Sequence, residues 1–243
     1  MPNWCTNDLT LTGLPHLLDA VVAQTTNETL DFAQVRPPPP ALLEAHLGLN
    51  EMNADALRGT LETGQPDQTG LTVLRRYLTY PWVADLGLCT PEAVLAHLKA
   101  EYARARPGDT LLALAQRRQH LRAEHGAADL YTWRCQHWGT KGGAVDSQME
   151  RLAPGHLRLR FETAACPPGG ILSALSERGL RLDLYFWVEV FEGAGRLWHG
   201  EEGGIHSEIF DGHELGPEAD LSPGRLMSRD LIAARCFDPW PAR

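Results

Sequence analysis

Residues 7–13 alternate polar and apolar side chains, Asn-Asp-Leu-Thr-Leu-Thr, and stop at Gly13. That two-residue period is the signature of a strand with one buried face. From Leu14 the period lengthens, and Leu17, Leu18, Val21 and Val22 fall on one helical face. Residues 29–35 then predict a second, shorter strand. The prolines at 37–40 end it, because each lacks an N–H and cannot continue a ladder.

Between 41 and 128 the pattern is helical. Thr90-Pro91-Glu92 combines a capping hydroxyl, a proline suited to the first helical position and an early carboxylate. Val94, Leu95, Leu98 and Tyr102 follow as a stripe that Pro107-Gly108 ends. Asp109 is placed to cap a second helix through Leu111, Leu112, Ala115 and Leu121, which stops near Gly126. Weaker helices are predicted at 40–48, 53–62 and 71–79, with breaks at 64–67 and 80–81.

Past 128 strand character returns. Residues 157–163, Leu-Arg-Leu-Arg-Phe-Glu-Thr, carry the cleanest alternation in the chain. Pro167-Pro168 opens a helix with Ile171, Leu172 and Leu175 that Gly179 ends. Residues 182–190 read as a long apolar and aromatic strand, with 196–199 pairing beside it after a turn at Gly193-Ala194-Gly195. A short helix is predicted near 223–235.

Strand–helix–strand, insertion, then strand–helix–strand is the split βαβ arrangement. Neither half has enough strands to cover a sheet alone. The expected fold is therefore α+β, with a split ferredoxin-like antiparallel sheet formed by both chain ends, 1–40 and 129–205. Residues 41–128 are expected to loop out as a helical insertion subdomain, and 206–243 to form an acidic C-terminal extension packing on the core.

Composition narrows the setting. No apolar run approaches the roughly 20 residues of a membrane span. Residues 1–5 lack the basic region and apolar run of a secretory signal. The five cysteines stand singly without a CxxC pair, which fits a reducing compartment. A cytoplasmic protein without a membrane partner is expected. Net charge is −9, and residues 183–243 hold twelve Asp and Glu against five Arg. Such a surface repels phosphate backbones, so broad nucleic-acid binding is disfavoured.

Three motifs carry a resemblance. Met1-Pro2-Asn3-Trp4-Cys5-Thr6-Asn7, the run His137-Trp138-Gly139-Thr140-Lys141, and Phe161-Glu162-Thr163-Ala164 ahead of Pro167-Pro168 resemble the Api92-like proteins. These are also called the YubB ferredoxin-like family of plasmid, phage and bacterial proteins. The resemblance covers 1–40 and 129–205. It implies a ferredoxin-like fold, a mobile-element association and no assigned activity. Three positions depart from the family pattern: His137 stands for an Asn, Gly142 for a Trp, and Ala165 for the Trp that usually follows Thr-Ala.

The candidate ligand-binding residues are Trp133, His137, Trp138, Gly139, Thr140 and Lys141. Gly139, Gly142 and Gly143 let backbone N–H groups face a ligand and Lys141 adds positive charge, as in an anion-binding turn. The spacing is not that of a Walker motif. A tight turn with Trp138 in the core and Lys141 paired to a carboxylate explains the same residues. His199, His206 and His213, with Glu201, Glu202, Glu208, Asp211 and Glu214, form the densest metal-capable stretch. It lacks an HExxH or another familiar ligand spacing, so a solvated acidic loop is expected there, and neither a metal nor a cofactor. Isolated cysteines cannot ligate an iron–sulfur cluster.

Cys135 and His137, two residues apart, would share one face of a strand. Cys166, just before Pro167, would have a lowered pKa if exposed at a helix N-terminus. Trp4 and Trp133 are candidates for an aromatic floor. The function expected is a non-enzymatic binding or accessory protein that engages a protein or a small anionic ligand through its sheet and insertion. One alternative is an enzyme of unknown class, with His137, Lys141 and an acidic partner such as Glu189 in a cleft. The other is nucleic-acid binding through the sheet face, with Arg158, Arg160, Arg178 and Arg181 beside Tyr185 or Trp187.

Overall fold

The computed structural model describes residues 3–26, 28–189, 193–200 and 204–237; Met1, Pro2, Val190, Glu201, Glu202 and the prolines past the final helix lie outside them. Two compact units divide the chain: Met1–Pro38 with Arg134–Arg243, and Pro39–Trp133. The strands are β1 (Trp4–Thr12), β2 (Thr25–Thr26), β3 (Thr29–Leu30), β4 (Val145–Ala153), β5 (His156–Ala164), β6 (Arg181–Val188), β7 (Gly193–His199) and β8 (Ile205–Asp211). The helices are α1 (Pro15–Ala23), α2 (Phe32–Val35), α3 (Leu49–Ala56), α4 (Arg58–Thr63), α5 (Gln68–Tyr77), α6 (Pro81–Asp85), α7 (Pro91–Ala105), α8 (Leu111–His125), α9 (Leu130–His137), α10 (Gly169–Glu177) and α11 (Pro223–Phe237). Among the described residues no helix is long and apolar enough to cross a membrane.

The fold is α+β, built on a six-stranded sheet in the order β4-β5-β1-β6-β7-β8 with antiparallel pairing throughout. β1 lies in the middle, between strands more than 140 residues away in sequence, so the two ends of the chain build one sheet. The alternation seen in the sequence sorts its faces. Leu9, Leu11, Leu159, Phe161, Leu184 and Phe186 are buried on one face. α1 and α10 cover that face with Leu18, Val21, Ile171, Leu172 and Leu175. Each such side chain contributes about 1.5–3 kcal/mol when fully removed from water.

The other face is polar and aromatic. It carries Trp4, Thr6, Asp8 and Thr10 on β1, opposite Arg158, Arg160 and Glu162 on β5 and Asp183, Tyr185 and Trp187 on β6. α11 lies across part of it, against β1, β6 and β7. Ile232 and Cys236 of that helix join Tyr185, Ala194 and Phe210 in a second apolar cluster. Beneath α11 the fully buried Asp8 accepts from Arg158 Nε at 3.0 Å and Arg235 at 3.1 Å. The second unit is helical, with its own core of Leu57, Leu74, Val94, Tyr102 and Leu111.

Several elements differ from the sequence reading, each for a local reason. Residues 29–35 are not one strand: the Asp31 carboxylate accepts from the Ala33 N–H at 2.9 Å and starts α2 immediately after Leu30. Residues 131–137 belong to a helix, because Asp129 accepts from the Thr132 N–H at 2.7 Å and starts α9. Gly193, Ala194 and Gly195 are strand rather than turn, and at Gly195 a Cβ would stand 2.8 Å from the Phe186 ring. Strands β4 and β8, the two sheet edges, carry no clean alternation: Val145, Leu152, Ile205 and Ile209 are exposed among their polar residues.

Candidate functional site

The run 137–141 closes α9 and turns against the start of α10. Trp138 is 3% exposed, with its ring edge-on to Phe32 at 5.8 Å and its Nε1–H donating to the Arg36 carbonyl at 2.9 Å. The Arg134 guanidinium covers its other side at 4.9 Å. Gly139 has φ +81°, and a Cβ there would meet the Gly169 N at 2.7 Å. At Gly170 a Cβ would lie 1.9 Å from the His137 carbonyl oxygen, so two backbones touch where these glycines meet. The buried Thr140 donates to the Ala164 carbonyl at 3.0 Å, and Lys141 is exposed. Burial, then the Arg36 charge, lowers the pKa of half-buried His137. Trp133 is buried in α9. Gly170→Ala is expected to destabilise the protein by about 1–3 kcal/mol through this backbone clash, read as a lower urea midpoint.

The motif residues of the opening segment join the same interior. Asn7, fully buried, donates to the Cys5 carbonyl at 2.8 Å and to the Thr163 hydroxyl at 2.9 Å. The Thr163 hydroxyl donates to the Cys166 carbonyl at 2.7 Å, and the Cys166 thiol lies 2.8 Å from the Gly139 carbonyl. Burial, then Cys135, pushes the Cys166 pKa up, with Lys141 opposing; the expected lowering is reversed because the thiol is turned inward. Cys135 and His137 do not share a strand face, since positions two apart on a helix diverge.

The histidine stretch is similarly engaged. His199 Nδ1 accepts from the Leu182 N–H at 3.0 Å, which leaves Nε2 to donate to Ser176 Oγ, also at 3.0 Å. That tautomer cannot act as a base toward Ser176. His206 stacks on Trp198 at 5.7 Å. Asp211, His213 and Glu214 bring ligand atoms together, but Asp211 and Glu214 cap a short 3₁₀ turn reciprocally and Glu214 pairs with Arg225.

A cleft of about 520 Å³ opens on the polar face of the sheet, beside the end of α11. Trp4, Trp187 and Phe237 supply aromatic surface, and Trp187 meets Phe237 edge-on at 5.2 Å. Thr6, Gln148, Arg160 and Glu162 lie on the strands below, with Asp146 and Glu189 toward the ends. Register explains the gathering: Thr6 of β1 faces Glu162 on one side and Trp187 on the other. Between Val145 and Gln148 the β4–β5 register shifts, and Asp146 within that irregularity has φ +48°. Burial, then Asp146 and Glu189, raises the Glu162 pKa, with Arg160 opposing. Arg160 donates to the Cys236 carbonyl. The aromatic surface here pairs Trp4 with Trp187, a partner the sequence reading placed only in a nucleic-acid role.

The helical unit has its own cleft of about 440 Å³ beside Tyr102, Arg106, Asp109 and Arg117. Among its charges, Arg117 pairs with Asp109 at 2.6 Å, and Arg118 with Asp55 and Asp129 at 2.8 and 3.0 Å.

No family model and no curated protein matches the chain. Among solved structures it is similar to the crystal structure of protein api92 from Yersinia pseudotuberculosis, family DUF1281. The two are 10% identical, with 86% of this chain and 98% of that chain covered and a TM-score of 0.42. That is the family the sequence motifs resemble.

Proposed function

We propose that this chain is a non-enzymatic binding or accessory protein that engages its ligand in the open-face cleft of the sheet. The observation that carries the reading is that cleft itself, which places two indoles and a phenyl ring beside polar strand residues. Concave sites with aromatic walls and a few placed polar groups are the usual form of a ligand pocket. The run 137–141 supports binding less strongly, since Trp138 and Thr140 face the interior. An enzyme centred on His137 and Lys141 is also less supported, because neither residue lines the clefts described above.

We read β6-β1-β5-β4, with α1 and α10 on one face, as the split ferredoxin-like arrangement interrupted after α2 by the helical unit. The strand order and the two crossing helices support it. Five free thiols support a cytoplasmic setting, and the sequence resemblance supports a mobile-element association. Nucleic-acid binding through the sheet is the weaker reading. Arg158 is spent on Asp8, Arg160 on the Cys236 carbonyl and Arg178 on Gln24, while Tyr185 is buried under Arg196 and Arg235.

A thermal-shift screen of small cations, neutral amides and anions tests the proposal. A ligand at a hundredfold excess over its Kd is expected to stabilise the protein by about 2.7 kcal/mol, and Trp187→Leu to abolish that gain. A stabilising ligand that ignores Trp187→Leu and Trp4→Leu but is lost in Lys141→Ala would move the site to the 137–141 turn.

A further inference from the structure

We infer that the open-face cleft takes an organic cation, an ammonium or guanidinium group seated against its indoles with its charge met by Glu162, Asp146 and Glu189. The inference rests on the binding reading of this cleft and names its ligand class. Its charged lining residues are three carboxylates and one guanidinium, which leaves a formal surplus of two negative charges. That single guanidinium, Arg160, is directed to the Cys236 carbonyl on the α11 side. The Glu162 side chain makes no hydrogen bond or ion pair among the described residues. A half-buried carboxylate near two others is stabilised by an incoming positive charge and destabilised by a negative one.

The walls agree with the charge. Indole rings present negative faces, and tryptophan is the strongest aromatic partner for a cation. A neutral ligand would gain only the apolar contact with Trp4, Trp187 and Phe237. An anion would meet Glu162 directly. The cleft therefore has the sign opposite to that expected of the Lys141 turn. Guanidinium and ammonium groups reach a protein either on lysine and arginine side chains or as free polyamines, and the chemistry above recognises both.

Intrinsic tryptophan fluorescence of the full chain, titrated with Nα-acetyl-arginine amide and its neutral isostere Nα-acetyl-citrulline amide, separates charge from shape. The arginine derivative is expected to bind about tenfold more tightly than the citrulline one, and Glu162→Gln to shrink that ratio below about threefold. Asp146→Asn should shrink it in the same direction, which guards against a local folding defect at Glu162. Titration with spermidine and with a Gly-Arg-Gly peptide assigns the source: a preference for either supports the cation, the peptide pointing to a protein partner and spermidine to a free amine. Equal binding of the two amides, or a ratio unchanged in Glu162→Gln, overturns the inference. If Trp187→Leu still abolishes binding in that case, the cleft stands and only its ligand class fails. If no ligand of either charge responds to Trp187→Leu, both readings fail together.

Discussion

Replacing Arg118 with methionine is expected to destabilise the helical unit by about 3–5 kcal/mol, because it strands buried charge. Arg118 is 3% exposed and Asp129 1%. The guanidinium of α8 donates to Asp55 of α3 at 2.8 Å, to Asp129 at 3.0 Å and to the Ala128 carbonyl at 3.3 Å, so one side chain ties α8 to α3 and to the start of α9. Methionine fills similar volume but leaves the Asp129 carboxylate without its counter-charge. Burial raises the Asp129 pKa, yet the Thr132 bonds and Arg118 outweigh it and hold the group below its ordinary value. A depressed carboxylate stabilises the fold above its unfolded pKa of about 3.9, and the contribution is lost as pH falls through the folded value. Urea unfolding followed by helical circular dichroism should show the loss at pH 7, with a weaker acid dependence in the variant. A loss under about 1 kcal/mol would show that the pair is worth no more than a surface bridge.

Trp138→Ala is expected to cost about 3–5 kcal/mol, the range for an aromatic deleted from a packed core. The indole fills space between Phe32 and Arg134, and Phe32 in turn meets Phe161 of β5 at 6.1 Å. Removing it also leaves the Arg36 carbonyl without the 2.9 Å indole bond. Lys141→Ala, at an exposed position three residues on, should stay within about 0.5 kcal/mol of wild type. Chemical denaturation of the two variants side by side measures the difference. Equal and small losses would mean the run is not a packing anchor, and would return it to consideration as a ligand site.

What the sequence made legible follows from periodicity. β1, β5 and α10 each bury one face, so their apolar spacing announced them, and Thr90 and Pro91 announced α7. α2 and α9 were hidden because single carboxylates, Asp31 and Asp129, override a β-branched and aromatic stretch by capping a helix. β4 and β8 were hidden because, as edge strands, they mix apolar and polar residues without the two-residue period of a strand with one buried face. The glycines of the 137–143 run suggested a ligand cradle; at Gly139 the close approach of α10 already requires glycine.

The cleft was harder still. Its floor draws Thr6, Glu162 and Trp187 from three strands, and only the register Glu162–Thr6–Trp187 makes them neighbours. The polar half of the β5 alternation, Arg158, Arg160 and Glu162, did mark an open face in sequence. No one-dimensional pattern says which strands lie beside it. The same tertiary pairing brings Asp146 and Glu189 to either side of Glu162 and so sets the charge of the site.

The most direct test of the cleft as the ligand site is a ¹⁵N map of the tryptophan indole resonances during titration with Nα-acetyl-arginine amide. Saturable shifts of the Trp4 and Trp187 signals, with Trp138 unmoved, are the predicted result; shifts at Trp138 with Trp4 and Trp187 silent would contradict it.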